Sequence, residues 1–229
     1  MLDLLSQYWP TLLVGQYPNG PLGGLALTLI LALCGLALSL PLALAIALAR
    51  VSPFGWLRVA SKTLVNVVRG MPLLMLIFWA YFVIPKLTGQ VISGFWTLIA
   101  ALVVYESAYL SEVIRSGIEA VPRGQIEASR SLGVGYWTTM RRVVLPQALF
   151  NVLPSMTSQF VSTIKETSLG YVISVNELTF AANQVNNLVL TQPLQVFGIL
   201  AIIYFLVCFS LSRGLSWLDL RIRRQRAMA

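Results

Sequence analysis

Long runs of apolar, uncharged residues alternate along this 229-residue chain with short stretches that collect its arginines and lysines. A helix needs about 20 apolar residues to cross the roughly 30 Å hydrocarbon core of a bilayer. Measured against that length, the uncharged runs predict five membrane-spanning helices. Their approximate ranges are 22–49, 63–85, 93–114, 147–164 and 194–212. The pattern therefore predicts an all-α integral membrane protein with a single transmembrane domain over residues 1–229.

The distribution of basic residues predicts the orientation of these helices. Thirteen of the 16 lysines and arginines lie in residues 50–62, 115–146 and 213–226. Because short cytoplasmic loops retain Lys and Arg, these three stretches are placed inside. A basic first loop and a basic C-terminus require an odd number of crossings, with the N-terminus outside and the C-terminus cytoplasmic. The same argument makes the weakly apolar segment 147–164 a true fourth span.

Composition narrows the possible functions. Hydrophobic residues make up 57% of the chain and charged residues 10%, against about 25% charged in soluble domains. The chain has no histidine and only two cysteines, so the commonest general base and the commonest transition-metal ligands are missing. No catalytic residue, cofactor site or metal site is predicted. The net charge of +8 is attributed to topology and anionic lipid contact, and nucleic-acid binding is not expected.

A polar stripe marks the fourth predicted span. Polar residues recur there at steps of four and three, which aligns them on one helical face. The members of the stripe are Asn151, Ser155, Ser158, Ser162 and Lys165. Such a stripe faces the bundle interior or water rather than lipid. Two interpretations stay open: the lining of a translocation path, which we favour, and a polar interface between helices or subunits.

Charged residues at the end of this stripe raise a geometric question. Lys165 and Glu166 are neighbours in sequence, so on a regular helix they point about 100° apart and would not grip one ligand together. Either the helix breaks there, as discontinuous helices do at transporter sites, or only one of the two side chains faces the path.

Two carboxylates lie inside the third predicted span. An intramembrane carboxylate is costly unless it is paired or protonated, so each needs a partner or a function. For Glu112 we expect a structural role, bonded to Arg69 or Arg115 near the inner face. For Glu106 a ligand-facing role and a buried, hydrogen-bonded role remain equally open.

The long polar loop between the third and fourth spans carries the most informative stretch of the chain. It reads Glu127-Ala-Ser-Arg-Ser-Leu-Gly133, and Val143-Val-Leu-Pro146 follows. Ala128 is small and permits close approach of another surface, and Gly133 permits a turn that most residues resist. Glu127 can accept charge-assisted hydrogen bonds. The loop is therefore suited to contact with a partner protein.

Seven stretches, in this order and spacing, resemble the permease subunit of bacterial polar amino-acid importers of the ATP-binding-cassette type (HisMQ/GlnP-like). They are Gly24-Leu-Ala-Leu-Thr28-Leu, Val68-Arg-Gly70-Met-Pro72-Leu-Leu, Ala108-Tyr-Leu-Ser-Glu112-Val-Ile-Arg115-Ser-Gly117-Ile, Arg123-Gly-Gln125-Ile-Glu127-Ala, Gly133, Val144-Leu-Pro146-Gln-Ala148 and Lys165-Glu-Thr167-Ser-Leu169. The resemblance covers most of the chain. It implies the type I importer permease fold and a location in the bacterial cytoplasmic (inner) membrane.

Residues 120–146 resemble the EAA coupling loop of that family, which docks an ATPase through the part corresponding to 120–137. The residues that match the motif are Glu127, Ala128, Gly133, Leu145 and Pro146. Ser129 stands where the family usually has a second Ala, and Val143 where it has Ile. Both departures are mild.

The resemblance also implies the partners and the mechanism. They are two cytoplasmic ATP-binding subunits carrying ATP and Mg, a second permease subunit, and an extracytoplasmic amino-acid-binding protein. This chain has no phosphate-binding Gly-x-x-x-x-Gly-Lys-Ser/Thr stretch, so it is expected to be a transport subunit and not itself an enzyme. Alternating access would carry the substrate past Glu106, the polar stripe and Glu166. The alternative is a subunit of an ion-coupled transporter or channel.

Overall fold

The computed structural model describes residues 2–227, with the side chains of residues 3–221. The side chains of Arg223, Arg224 and Arg226, which belong to the predicted cytoplasmic tail, lie outside the described set. Over the described residues the chain is helical, and pairing between extended residues is limited to two isolated bridges. The α-helices are α1 Leu2–Val14, α2 Gly24–Arg50, α3 Gly55–Arg69, α4 Leu73–Phe78, α5 Ile84–Thr88, α6 Gly94–Glu119, α7 Arg123–Ser131, α8 Tyr136–Thr139, α9 Leu145–Asn151, α10 Leu153–Glu166, α11 Leu178–Val189 and α12 Pro193–Ala227.

Among the described residues, three helices are long and apolar enough to cross a membrane. They are Gly24–Arg50, Gly94–Glu119 and Pro193–Arg221, and they correspond to the first, third and last predicted spans. The predicted all-helical membrane architecture therefore agrees with the structure.

The second predicted span is interrupted. Helix α3 ends at Arg69, α4 begins at Leu73, and the chain bends by 99° between α3 and the helical segment 73–88. Pro72 lacks a backbone N–H and disfavours helical geometry in the residue before it, which explains the break. Residues 63–85 therefore do not form one continuous helix. If this bent pair counts as one span, the described residues hold up to four.

The predicted fourth span consists of α9 and α10, interrupted at Val152. Pro146 and Pro154 lie in the first turns of these two helices, where a missing N–H costs little. A continuous helix over residues 145–166 would extend about 33 Å at 1.5 Å per residue. This segment is nevertheless absent from the helices that are long and apolar enough to span in the described chain. The five-span count stays a prediction.

The core forms where α2 packs along α6. Helix α2 buries a face of small residues, and Leu98, Leu102, Leu110 and Ile114 of α6 are buried against that side. The small residues of α2 are Thr28, Ala32, Gly35, Ser39, Ala43 and Ala47. A Cβ added at Gly35 would lie 3.3 Å from the Leu102 Cβ. Small residues of this kind allow membrane helices to approach closely.

An N-terminal helix, α1, precedes the first span, and the sequence analysis assigned no element there. Its 13 residues are too few to cross a bilayer. Leu4 and Leu12 are buried in a cluster with Leu178 and Val185 of α11 and Val196 of α12. Helix α1 therefore serves as packing for the helices around α11.

Candidate functional site

Glu112 lies at the centre of an ionic cluster where α2, α3 and α6 meet. Its carboxylate pairs with Arg50 and with Arg115, whose Nε lies 3.0 Å from Glu112 Oε1. The Arg69 guanidinium is 4.0 Å from the same carboxylate and stacks over the Tyr109 ring at 4.9 Å. Both partners proposed from the sequence thus lie in contact range. Arg50, 62 residues away in sequence, is an additional partner that the sequence analysis did not identify.

Glu106, on the same helix, is fully buried and has a different environment. Its carboxylate accepts hydrogen bonds from Thr163 Oγ1 at 2.7 Å and from Gln159 Nε2 at 2.9 Å, both on α10. The Glu166 carboxyl lies close enough to interact electrostatically with Glu106. Among the described residues Glu106 makes no ion pair. Glu106 therefore joins α6 to the polar segment and faces a second carboxyl.

Lys165 and Glu166 point in different directions, although no loop separates them. Helix α10 continues through both residues and passes directly into a 3₁₀ helix at Thr167–Ile173. Lys165 is exposed, whereas Glu166 turns inward and its Oε2 is buried without a hydrogen-bond donor from the described residues. The helix does not break between Lys165 and Glu166, and the two side chains face different surroundings. Which of them faces a path stays a prediction.

The polar stripe lies on the outer face of the single chain. Asn151, Ser155, Ser158 and Lys165 are exposed, and Ser162 is half-buried. Ser158 donates to the Pro154 carbonyl within its own helix at 3.2 Å. Because most of the stripe is not covered by this chain, both of its interpretations, a water-filled path and a contact with another subunit, remain compatible with the geometry.

The loop motif forms the short helix α7 with a defined C-terminal cap. Gly133 has φ +74°, its N–H donates to the Arg130 carbonyl at 2.9 Å, and the Val134 N–H donates to the Ser129 carbonyl at 3.2 Å. These two bonds form a Schellman motif, whose left-handed residue is usually glycine. No atom lies within 4 Å of a Cβ built at Gly133. The conformation, and not lack of space, requires glycine here.

Hydrogen bonds hold α7 against the rest of the loop. Ser129, which departs from the family motif, is buried and shares a 2.8 Å hydrogen bond with Thr139 of α8. Gln125 Oε1 accepts from Gln147 Nε2 of α9 at 2.5 Å. The Tyr136 hydroxyl donates to the Val51 carbonyl at 2.9 Å. Burial raises the pKa of Tyr136, so this phenol keeps its proton and remains a donor.

The other residues that match the motif lie on two helices of the loop region, α7 and α9. Glu127 and Ala128 are exposed on α7, available to a partner surface. Pro146 is exposed in the first turn of α9, and Leu145 is half-buried against the cluster that includes Ile114 of α6. The loop therefore presents Glu127 and Ala128 outward while its end is anchored to the helical core.

Glu177 is a buried carboxylate that the sequence analysis did not identify. It caps α11 by accepting from the Thr179 and Phe180 N–H groups at 2.7 and 2.9 Å. The Tyr204 hydroxyl of α12 also donates to it, at 3.2 Å. A glutamate directly before an apolar helical run was the available signal. Glu177 therefore ties α11 to α12.

Comparison with known proteins places this arrangement in a family. Residues 39–224 match the family model described as "Binding-protein-dependent transport system inner membrane component". The chain is 35% identical over 208 residues, 89% of its length, to the inner membrane amino-acid ABC transporter permease protein YhdY of Escherichia coli strain K12, and spans 57% of that protein. It is 40% identical over 160 residues to the probable glutamine ABC transporter permease protein GlnP of Bacillus subtilis strain 168, covering 69% of this chain and 73% of the relative.

Two solved structures have a similar fold. A chain from the crystal structure of an amino acid ABC transporter with histidines superposes with a TM-score of 0.84 at 32% identity, covering 96% of this chain and 99% of that one. A chain of the MetNI methionine ABC transporter in an inward-facing conformation shares the fold, with a TM-score of 0.63 at 22% identity over 94% of this chain and 96% of that one. The chain belongs to the family of inner membrane components of binding-protein-dependent transport systems.

Proposed function

We propose that this chain is the membrane-spanning permease subunit of an ATP-driven amino-acid importer. The observation that carries the proposal is the loop, where α7 exposes Glu127 and Ala128 and ends in a glycine-dependent cap at Gly133. Its family membership and the amino-acid transport functions named for its relatives support the same conclusion. The substrate class follows from those names and the site chemistry together.

The proposed complex contains two cytoplasmic ATP-binding subunits, a second permease subunit and an extracytoplasmic binding protein. ATP and Mg belong to the ATP-binding subunits. In this arrangement the chain crosses the inner membrane five times, with its N-terminus outside and the loop and C-terminus inside. Thirteen basic residues then remain on the cytoplasmic side, in accord with the usual bias of Lys and Arg.

Movement of the ATP-binding subunits would reach the membrane helices through residues 120–137. The Tyr136 hydroxyl bonds to Val51 at the end of α2, and Gln125 bonds to Gln147 of α9. A displacement of α7 would therefore reach α9 through a direct hydrogen bond. It would reach the end of α2 through α8, which carries Tyr136 and is bonded to α7 by Ser129 and Thr139. Alternating access results when the two permease subunits rock between inward-facing and outward-facing states.

Substrate passage is proposed along the stripe of α10 and near the Glu106–Glu166 pair. Two facing carboxyls repel each other unless a proton or a cation lies between them. A substrate ammonium group can supply that cation, and the exposed Lys165 can attract a substrate carboxylate. Opposite ends of an amino acid thus find opposite charges in this region.

Site-specific cross-linking tests the docking arrangement. In a chain whose Cys34 and Cys208 are replaced by Ala, a Cys at Ala128 should cross-link to an ATP-binding subunit in native membranes. A Cys at Lys86, exposed in α5 and outside in the proposed orientation, is the matched control and should not. Equal cross-linking at both positions, or cross-linking at neither, would contradict the docking assignment.

A thiol-labelling pair tests the orientation in the same background. Lys62 and Lys86 are both exposed but lie in α3 and α5, on opposite sides of the proposed membrane. A membrane-impermeant reagent added to cells with a permeable outer envelope should label Cys at 86 and spare Cys at 62. The reverse pattern would invert the topology.

A further inference from the structure

A cavity of about 570 Å³ lies between the ends of α2 and α6 and the loop helices α7 and α8. Four arginines line it, from three separate parts of the chain: Arg50, Arg58, Arg123 and Arg130. Glu119 is the one carboxylate among the described lining residues. The cavity is therefore strongly basic, and none of the transport steps proposed above places a ligand in it.

The charges around the cavity are unevenly balanced. Arg50 is paired with Glu112, and Glu119 is paired with Arg115. Arg58 donates to the backbone carbonyls of Ser52 and Pro53 at 2.9 and 3.2 Å, which leaves its charge uncompensated. Within the described residues Arg123 and Arg130 make no ion pair. Three guanidinium charges thus surround one space without a carboxylate partner, an arrangement that favours an anion.

Other residues that line the same cavity are apolar and buried. Val121, Met140 and Val144 line it and are 3%, 7% and 1% exposed. Arg123 and Arg130, by contrast, are exposed on α7. The cavity therefore combines a basic rim, formed by the exposed arginines, with an apolar floor, formed by the buried residues. A free inorganic anion would satisfy the rim and leave the floor unused.

The position of the cavity relative to the membrane also indicates its ligand. Arg50 is the last residue of α2, and Glu119 is the last residue of α6. The cavity therefore lies where two membrane-spanning helices end. In the proposed orientation that level is the cytoplasmic face of the bilayer. Basic pockets between helices at this level suit anionic lipid headgroups, and guanidinium groups bind phosphate oxygens in bidentate geometry.

We propose that this cavity binds the phosphodiester headgroup of an anionic phospholipid, with Arg58, Arg123 and Arg130 on the phosphate and acyl carbons against Val121, Met140 and Val144. The bound lipid links helix α3, which carries Arg58, to helix α7. It thereby connects the bilayer to the loop that is proposed to dock the ATP-binding subunits.

Native mass spectrometry of the purified complex tests this directly, because lipid retention is read without any transport step. The probes are phosphatidylglycerol, phosphatidylcholine with identical acyl chains, and the soluble headgroup glycerophosphoglycerol. Retention of phosphatidylglycerol should exceed that of phosphatidylcholine roughly tenfold or more. The soluble headgroup should compete only weakly because it lacks the chains that cover the apolar floor.

Charge-matched variants locate the site. The double variant Arg123→Gln/Arg130→Gln and the single variant Arg58→Gln should each lose the preference for phosphatidylglycerol. The control Arg141→Gln/Arg142→Gln removes two exposed arginines of the same loop that do not line the cavity, and it should keep the preference. The control substitutions leave the cavity lining unchanged. All five arginine side chains are exposed, so we expect every variant to fold.

Three results would overturn the proposal. Equal retention of the two lipids by the unaltered complex would remove the headgroup preference. Binding of glycerophosphoglycerol as tight as that of the whole lipid would assign the cavity to a soluble phosphate ester. Absence of any lipid preference, combined with loss of an ATP-binding subunit from the Arg123→Gln/Arg130→Gln variant, would assign it to an acidic residue of that partner.

Discussion

Two carboxylates on α6, six residues apart in sequence, are accommodated in opposite ways. Glu112, near the end of the helix, is paired with Arg50 and Arg115 and approached by Arg69. Glu106, nearer the middle, is fully buried and contacts neutral donors of α10 and the carboxyl of Glu166. Among the described residues, Glu112 therefore has cationic partners, whereas Glu106 has none.

Under the proposed function, this difference separates a structural site from a site that can respond to a ligand. The cluster around Glu112 joins residues of α2, α3 and α6, so it fixes their relative positions near loop 120–146. Neither Glu106 nor Glu166 has a cationic partner among the described residues, and both lie in the region where the proposed path runs. Removing the two carboxylates should therefore have different consequences.

The largest expected effect is on stability. Glu112→Gln leaves Arg50, whose side chain is 10% exposed, without its carboxylate partner. We expect the free energy of unfolding to fall by about 2 kcal/mol. Breaking a fully buried ion pair costs more, roughly 3–5 kcal/mol. Glu106→Gln, the matched substitution, keeps an oxygen that accepts from Thr163 and should cost less than about 1 kcal/mol. Thermal unfolding of the detergent-purified complexes measures both, and a greater loss for Glu106→Gln would reverse the comparison.

A second large effect concerns coupling. Gly133→Leu forces a side chain into a left-handed conformation, φ +74°, at a cost of roughly 1–2 kcal/mol, and should disrupt the α7 cap. ATP-driven uptake should fall severely while the protein level stays normal. Gly135→Leu is the control, because Gly135 has φ −66° and open space around it. Normal uptake by Gly133→Leu, or equal loss in both variants, would count against the loop's role.

A smaller effect is expected at the end of the stripe. Lys165→Met removes the exposed charge proposed to bind a substrate carboxylate. Uptake should fall several-fold, because roughly the energy of one charge-assisted hydrogen bond is lost. Expression and association with the ATP-binding subunit should not change. Lys62→Met, an exposed lysine of α3, provides the control. Unaltered uptake by Lys165→Met would leave the stripe as a packing surface.

The smallest effect is a difference in chemical reactivity along α10. Cys replacements of Ser155, Ser158 and Ser162 should react with a water-soluble thiol reagent faster than those of Leu153, Met156 and Phe160, and substrate should slow them. Ser155 and Ser158 are exposed, whereas the three comparison residues are half-buried. If the two sets react alike in the assembled complex, the stripe does not face water there.

The sequence predicted the long helices closely because hydropathy depends on local composition. The predicted spans 22–49 and 93–114 correspond to Gly24–Arg50 and Gly94–Glu119. The break after Arg69 was not predicted, although Gly70-Met-Pro72 carries its signal. Helix α1 was missed because a search for membrane-length segments passes over a 13-residue helix.

Partners within the site were harder to predict than the residues themselves. Glu112 was expected to need a cation, but Arg50 lies 62 residues away and becomes its neighbour only when α2 packs on α6. Likewise, Ser129 looked like a mild departure from a motif until Thr139 was placed opposite it. Such pairings depend on tertiary packing, which periodicity in one helix does not specify.

Energy coupling tests the central claim most directly. The complex containing this chain is reconstituted in proteoliposomes with its binding protein, and uptake of radiolabelled amino acids is measured with ATP at the ATP-binding subunits and with ionophores that collapse all ion gradients. We predict uptake that requires hydrolysable ATP and continues at an unchanged rate in the presence of ionophores. Uptake that proceeds without ATP and stops when the gradients collapse would contradict the account and favour an ion-coupled transporter.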